Sequence, residues 1–296
     1  MRIEVLGAGG AWGVPRPFCP CPVCEEARLK GAPYTRLGPS LFLHEIKTLI
    51  DTPEEIGIQL NRARITRVDA VFYSHWHPDH TAGIRVWEAN YNQGMKNPLH
   101  FPPKTIPTQV YLPENVARTF GEFHALRDKC EYQQKLGVTE VHTIPMGESV
   151  KLQQVKVTPM QLVEDYAAGF LFEWFDSGIL KRVLILMDEV FAWTPPPDLG
   201  PLDALFMPAG AFELNPLSGE RKIVADHPIL TREATFPQIL QALRGLDAKQ
   251  VIFIHLNEID GLTFDDYLEL ARRLNADPAL ELPPVRFAYD TLIVEI

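Results

Sequence analysis

Basic residues and cysteines are scarce in this chain of 296 residues. It contains 28 Lys and Arg against 38 Asp and Glu, which gives a formal net charge of −10, and it has four cysteines. This acidic balance argues against nucleic acid as the main partner, because a phosphate backbone is bound through clustered positive charge. Three of the four cysteines fall within six residues, a spacing typical of a metal site rather than a disulfide framework.

Long apolar runs, targeting signals and low-complexity linkers are also missing. No segment approaches the ~20 apolar residues that a membrane span needs, and the first residues lack the basic and apolar regions of a signal peptide. We therefore expect a cytoplasmic protein with no membrane partner. A composition of 46% hydrophobic and 22% charged residues is that of a core-forming protein, so we predict one domain over residues 1–296.

Short strand-like runs recur along the chain and imply two sheets. We predict strands at Arg2–Leu6, Leu41–His44, Thr48–Asp51, Asp69–Ser74, Gln109–Leu112, Val155–Met160, Gly169–Phe175, Val183–Met187, Ala204–Met207, Val251–His255, Val285–Ala288 and Leu292–Glu295. Several runs, such as VLILM and VIFIH, are continuously apolar and predict strands that are covered on both faces. The simplest packing is a four-layer α/β arrangement, helix–sheet–sheet–helix.

Helical spacing of apolar residues appears between these runs. The predicted helices are Pro53–Asn61, Ala82–Asn90, Glu114–Lys129, Arg232–Arg244 and Phe264–Leu274, with Thr231 and Thr263 as the expected N-caps. The proline-containing segment Tyr91–Thr108 is predicted to be irregular and to border a pocket.

A histidine cluster is the strongest signal in the chain. The segment VFYSHWHPDHTAG places His75, His77, Asp79 and His80 after an apolar strand, where a helix should begin. In an extended segment, residues two apart point the same way, so His75 and His77 can bind one metal ion. Asp79 and His80 follow the bend and are free to bind a second ion.

Two later apolar strands end in metal-binding side chains. VLILMD ends in Asp188 and VIFIH ends in His255, and loops at strand ends are where layered α/β folds build their sites. HWHPDH resembles the H-x-H-x-D-H signature of the metallo-β-lactamase-fold hydrolases, and Asp188 and His255 match their bridging aspartate and last histidine. VLGAGGAWGVP, CPCPVC and FAYDTLIVEI are most similar to the phosphoribosyl cyclic phosphodiesterases of phosphonate breakdown. The PQQ-biosynthesis branch is nearly as similar.

The resemblance implies an αββα sandwich with two divalent ions, which the ligand types allow to be zinc, manganese or iron. It places His75 and His77 on one ion and Asp188 as the bridge between the two ions. The ligands of the other ion would be Asp79, His80 and His255. Two such ions lower the pKa of a shared water and polarise a phosphoryl or carbonyl group. Asp79 is also a candidate catalytic residue that orients this water.

The chain departs from the family at one ligand. The family's third histidine on the first ion is absent from the matching stretch, VTPMQLVEDYAAGF. We favour Glu164 as its substitute, although the register also allows Val163 or brings Asp165 within reach. A carboxylate here would shift metal preference toward manganese or iron without excluding zinc. The alternative is that Glu164 and Asp165 are solvated loop charges and that the first ion is weakly held or absent.

The cysteine cluster predicts a separate structural zinc. Cys19, Cys21 and Cys24 lie on a proline-containing loop, where thiolates suit a closed tetrahedral site. The phosphodiesterases complete such a site with a histidine at the position of Glu258, which we take as a candidate ligand. Other residues that remain open as the fourth ligand are Cys130, His44, His124 and His142.

Three further residues are candidates for supporting roles. His227 lies in the region where related hydrolases place a general acid, but it is equally compatible with a surface loop. Asp51 resembles the family's aspartate that accepts a hydrogen bond from a ligand histidine, and it is equally compatible with a turn-capping role. Asp290 resembles a turn residue of the family.

The leading interpretation is a metal-dependent hydrolase of a small or cyclic phosphodiester. The same metal-activated water attacks carbonyl groups, so a lactone or ester hydrolase stays open. An iron-dependent oxygenase of the PQQ-biosynthesis type and a non-catalytic metal-sensing module are also compatible with the sequence. The substrate is expected to be a small molecule, and the sequence leaves a homodimer open.

Overall fold

Two seven-stranded sheets form the centre of the computed structural model, which describes residues 1–92 and 106–296. In spatial order, the first sheet contains β14 (Ile293–Glu295), β1 (Arg2–Gly7), β2 (Ser40–Leu43), β3 (Thr48–Ile50), β4 (Ala70–Phe72), β5 (Thr108–Pro113) and β6 (Thr139–Ile144). The second contains β13 (Val285–Phe287), β12 (Val251–Ile254), β11 (Ala204–Pro208), β10 (Ile179–Ile185), β9 (Ala168–Asp176), β8 (Val155–Gln161) and β7 (Val150–Leu152).

Both sheets mix parallel and antiparallel pairs. Strands β3 to β6 are parallel in the first sheet, and strands β10 to β13 are parallel in the second. The remaining pairs are antiparallel. Parallel neighbours need long crossover connections, which here carry helices. The carboxyl ends of β4, β10 and β12 therefore lead into loops that can build a site.

The helices are short and lie outside the sheets. They are α1 (Pro22–Lys30), α2 (Ile56–Arg62), α3 (Pro78–Thr81), α4 (Glu114–Phe120), α5 (Leu126–Lys135), α6 (Phe236–Leu243) and α7 (Phe264–Ala276). The 3₁₀ helices are Ala82–Asn92, Pro228–Thr231, Glu258–Asp260 and Pro278–Leu280. No helix in the described ranges is long and apolar enough to cross a bilayer.

Three apolar layers hold these elements together. Between the sheets, Val5 and Phe72 of the first sheet belong to one buried cluster with Phe170, Ile185 and Ile254 of the second. A second cluster joins the outer face of the second sheet to α6 and α7, and a third joins the first sheet to α2, α4 and α5. The predicted order helix–sheet–sheet–helix is confirmed.

The sequence located every described strand except two of the four at the sheet edges. All twelve predicted strands are present, but β6 and β7 were missed. Both are edge strands with partly exposed, polar residues, so they lack the continuous apolar pattern of the central strands. The predicted helix Glu114–Lys129 is divided into α4 and α5, because His124 and Ala125 adopt positive φ angles of 54° and 52°.

One of the two predicted caps is confirmed. The Thr263 hydroxyl accepts a hydrogen bond from the Asp266 backbone amide, while the Asp266 carboxylate accepts one from the Thr263 amide, which is a capping box. Thr231 is not a cap; it ends a 3₁₀ helix, and α6 begins after Thr235 instead. The predicted irregular segment Tyr91–Thr108 lies mostly outside the described residues.

We expect Thr263→Ala to lower the free energy of unfolding by about 1 kcal/mol, because the amides at the start of α7 lose their cap. Thr231→Ala is the matched control and should change it by less than about 0.5 kcal/mol, since its exposed hydroxyl contacts only the Pro228 carbonyl. Urea denaturation followed by circular dichroism measures both values. Equal effects of the two substitutions would contradict this assignment of the cap.

Candidate metal centre

The carboxyl ends of three parallel strands converge on one edge of the two sheets. His75 follows β4 of the first sheet, whereas Asp188 and His255 follow β10 and β12 of the second. Two residues at these ends, Glu189 and His255, adopt positive φ angles of 59° and 55°. Such backbone conformations cost energy in residues other than glycine, and they persist here because the surrounding packing determines them.

Four side chains form a first group of donor atoms. His75, His77, Asp188 and Glu189 each offer one ligand atom, and these atoms all lie within 4.8 Å of one another. The Glu189 Oε1 atom is 3.2 Å from His77 Nδ1 and 4.0 Å from His75 Nε2. This cluster of two imidazoles and two carboxylates has the composition of a divalent-metal site.

A second group shares Asp188 with the first. Asp79, His80, Asp188 and His255 also place donor atoms within 4.8 Å of one another. The His255 Nε2 atom is 3.2 Å from Asp79 Oδ2 and 3.3 Å from Asp188 Oδ2, and His80 Nε2 is 3.3 Å from Asp79 Oδ2. Because Asp188 belongs to both groups, its carboxylate is placed to bridge two ions.

Asp51 orients the His80 ring of the second group. Its carboxylate lies 2.7 Å from His80 Nδ1 and accepts hydrogen bonds from the Ser74 amide and hydroxyl. The Ser74 hydroxyl in turn lies 3.0 Å from His75 Nδ1. With their Nδ1 atoms engaged, His75 and His80 both leave a buried Nε2 atom that makes no hydrogen bond to any described residue. Buried unpaired ring nitrogens that face the other donors are what metal ligation requires.

The charges in this cluster also fit a cation. Burial, together with the negative charge of Asp188, raises the pKa of Glu189 to about 8. Burial also lowers the pKa of His75 well below its usual value, which favours the neutral imidazole that binds metals. Burial opposes ionisation of Asp79, but His80 and His255 together outweigh burial and hold the pKa of Asp79 well below its usual range. Divalent ions would relieve this concentration of carboxylates.

Glu164 lies at the margin of the site rather than in either donor group. It is half-buried and lines a side cavity of about 320 Å³, next to Glu189 and Tyr166. Glu189 occupies the position beside His75 and His77 that the sequence pattern assigned to Glu164. The one sequence signal for Glu189 was a second acidic residue directly after Asp188.

His227 does not reach the centre. Its side chain is exposed, and its Nδ1 atom accepts a hydrogen bond of 3.2 Å from the Ile229 amide at the start of the 3₁₀ helix Pro228–Thr231. Glu233, six residues later, lines the cavity above the donor groups instead. Burial, together with the charge of Asp188, raises the pKa of Glu233 to about 7. Sequence reasoning missed Glu233 because an acidic residue before a helix carries no distinctive pattern.

The cavity above the two groups has a volume of about 410 Å³. Its lining includes Trp12 and Arg16 of the N-terminal loop, together with Ile229 and Glu233. A larger cavity of about 710 Å³ lies between residues 190–201 and α6, but none of the candidate ligands lines it. Size alone therefore does not locate the site; the donor groups do.

The predicted cysteine site is assembled with Glu258. The Sγ atoms of Cys19 and Cys21 are each 3.1 Å from Glu258 Oε1, and Cys24 completes a group with all donor atoms within 4.8 Å. Arg16 Nη1 lies 3.3 Å from the other carboxylate oxygen of Glu258. The group joins the N-terminal loop to the segment that follows His255.

The remaining candidates for the fourth ligand lie elsewhere. His44 contacts Glu4 through Nε2 at 2.8 Å, His142 contacts Gln109, and His124 stacks near Trp76. Cys130 is buried in the cluster beneath α4 and α5. None of these four belongs to the cysteine group in the described part of the chain.

Gly10 lets the N-terminal loop approach the metal centre. A Cβ atom there would collide with the Asn257 side chain and lie 3.0 Å from His255 Nδ1. Asp290 fixes the start of the same loop, because its carboxylate accepts hydrogen bonds from the Ala8 amide and the Arg62 guanidinium. The glycines after β1 thus serve a close backbone approach beside the site.

Solved structures with this fold cover the whole chain at low sequence identity. A diphosphatase from the PhnP family has a TM-score of 0.67 and 23% identity, with 100% of this chain and 98% of that chain covered. Zn²⁺-bound PqqB from Methylobacterium extorquens has a TM-score of 0.69 and 16% identity, with 100% of both chains covered. The metallo-β-lactamase-fold protein YhfI from Bacillus subtilis has a TM-score of 0.64 and 12% identity, with 99% and 98% covered. These similarities show the fold.

No curated protein matches the sequence. The family model described as the β-lactamase superfamily domain matches residues 47–256, which is most of the chain and includes every candidate ligand of the two donor groups. The two sheets of this chain, their flanking helices and the donor groups at the strand ends agree with that match. The chain therefore belongs to the β-lactamase superfamily and has the metallo-β-lactamase fold.

Proposed function

We propose that this protein is a dinuclear metal-dependent phosphodiesterase that hydrolyses a small or cyclic phosphodiester. The observation that carries the proposal is the shared Asp188 carboxylate, which joins two sets of nitrogen and oxygen donors in one cavity. Two divalent ions held there would activate a water molecule and neutralise charge on the phosphoryl group. The substrate, the metals, the roles of individual residues and a cytoplasmic location all belong to this proposal.

The ligand assignment follows from the donor groups. His75, His77 and Glu189 would hold the first ion, with Glu189 in the position of the family's missing histidine. Asp79 would be a ligand of the second ion and would also orient the attacking water.

His80 and His255 would be the other ligands of the second ion, and Asp188 would bridge the two ions. The donor set contains only imidazole and carboxylate groups, so manganese and iron suit it as well as zinc. Cys19, Cys21, Cys24 and Glu258 hold the structural zinc.

A phosphodiester fits the cavity better than a neutral ester does. Arg16 lines the cavity and supplies a positive charge for a phosphate oxygen. Its pairing with Glu258 holds the guanidinium beside the cavity. Hydrolysis of a lactone or other ester would leave this charge without a partner on the substrate.

The carboxylate-rich first group keeps an iron-dependent oxygenase as the second candidate. Glu189 in place of an imidazole makes this group more anionic and harder, which favours iron. Oxygen uptake by the iron-loaded protein, with no hydrolysis of phosphodiesters by any metal form, would support the oxygenase and overturn the phosphodiesterase.

The first test measures hydrolysis and metal content together. Protein purified without chelators should hydrolyse bis(p-nitrophenyl) phosphate, and His80→Ala or Asp188→Ala should abolish turnover, because each removes a ligand. Glu189→Gln should lower the active-site metal content from two ions toward one. Glu164→Gln is the matched control and should retain both ions. Loss of an ion in Glu164→Gln but not in Glu189→Gln would restore Glu164 as the ligand.

The structural zinc has a separate test. Plasma mass spectrometry should find about three ions per chain in the wild type and one fewer in a Cys19→Ser/Cys21→Ser variant, because two thiolates are lost. Cys130→Ala removes the thiol outside the cluster and should leave the ion count unchanged. An unchanged count in the double variant would exclude the cysteine site.

Asp51→Ala should weaken binding of the second ion by about 10- to 100-fold, because the His80 ring loses the acceptor that fixes its orientation. Asp51→Asn keeps an oxygen acceptor and should lose less. Competition with a chromogenic chelator measures the affinity. Wild-type affinity in Asp51→Ala would show that His80 does not depend on this contact.

A further inference from the structure

The loop between the 3₁₀ helix Pro228–Thr231 and α6 presents one acidic side chain to the cavity. Glu233 lines both the main cavity, with His77 and Glu189, and the side cavity that opens beside it. It therefore stands where the two cavities meet, over the donor groups but outside both of them.

Backbone contacts fix this position on both sides of the residue. The Glu233 amide donates to the Ile229 carbonyl at 2.8 Å, and the Ala211 amide donates to the Ala234 carbonyl at 2.8 Å. The Phe236 amide, at the start of α6, then donates to the Ala211 carbonyl at 2.9 Å. The loop is thus tied to the end of β11, so the carboxyl group is held at a defined place in the cavity wall.

No structural role accounts for this carboxyl group. Among residues 1–92 and 106–296, no hydrogen bond or ion pair engages the Glu233 side chain, although it is partly buried. Burial disfavours the charged carboxylate and raises the pKa of Glu233, so the protonated form, which has a proton to donate, is favoured at this place in the cavity wall.

We infer that Glu233 is the general acid of this site and protonates the leaving oxygen of an alkyl phosphodiester. This inference rests on the proposed phosphodiesterase function. His227 is unsuited to the role because its exposed ring caps a 3₁₀ helix outside the cavity. Glu233, six residues after His227, supplies the general acid instead.

The proton balance of the step is simple. The oxygen of a water molecule forms a bond to phosphorus, and the bond from phosphorus to the alcohol oxygen breaks with its electron pair remaining on that oxygen. The Glu233 carboxyl proton passes to the alcohol oxygen, which leaves as a neutral alcohol. The attacking water releases one proton, which restores the Glu233 carboxyl group through solvent, so the net reaction is hydrolysis.

The test compares two leaving groups. An alkoxide needs a proton as it departs, whereas p-nitrophenolate is stable as an anion and departs without one. Glu233→Gln should therefore lower kcat for ethylene phosphate by about 100-fold or more, with less than about a 3-fold change for bis(p-nitrophenyl) phosphate. Glu233→Asp should recover part of the lost rate because it retains an acid. Metal content measured by plasma mass spectrometry should equal that of the wild type.

Controls separate this assignment from competing explanations. Asp226→Asn changes an exposed acid that precedes the 3₁₀ helix Pro228–Thr231 and should leave both rates unchanged. The selective loss on ethylene phosphate in His227→Gln, rather than in Glu233→Gln, would overturn the assignment. Equal loss on both esters, loss of metal from Glu233→Gln, or a wild type that cleaves the aryl ester alone would also overturn it. A wild type inactive on both esters would overturn the phosphodiesterase proposal itself.

Discussion

The apolar layer between the two sheets is the constraint on which the rest of the structure depends. Val5, Phe72, Phe170, Ile185 and Ile254 are buried in it, and their packing fixes how one sheet lies on the other. Since β4 belongs to the first sheet and β10 and β12 to the second, the donor groups exist only because this layer sets their distance. A metal centre between sheet edges is thus a consequence of core packing.

Within that frame, the centre contains more negative charge than the buried surroundings tolerate. The charge of Asp188 adds to burial in raising the pKa values of Glu189 and Glu233. Repulsion of this kind persists in a folded protein when the cluster has a function, and divalent ions would offset most of it. Glu233 lies outside both donor groups, so its proposed role differs from that of its neighbours.

The N-terminal loop is the second support of the site. Gly10 permits its backbone to pass beside His255, and the cysteine group attaches it again through Glu258, three residues beyond His255. Arg16 joins the same carboxylate and lines the cavity. Metal at the cysteine group would therefore stabilise the fold and the wall of the active-site cavity through the same contacts.

The sequence by itself determined the central strands, the layer order and the ligands that end apolar strands, His75, Asp188 and His255. Continuous apolar runs and ligand spacing are local signals, and they can be read without a structure. Edge strands β6 and β7 lack such runs, and the break at His124 and Ala125 depends on backbone conformation rather than on composition.

Only the tertiary structure decided which carboxylates enter the site. Glu164, Glu189 and Glu233 are ordinary acidic residues in the sequence, and their roles depend on how three loops from different strands meet. The structure brings Glu189 beside the histidines, leaves Glu164 at the margin and turns His227 outward while Glu233 faces the cavity. Long-range packing sets these positions, and no local pattern of residues encodes that packing.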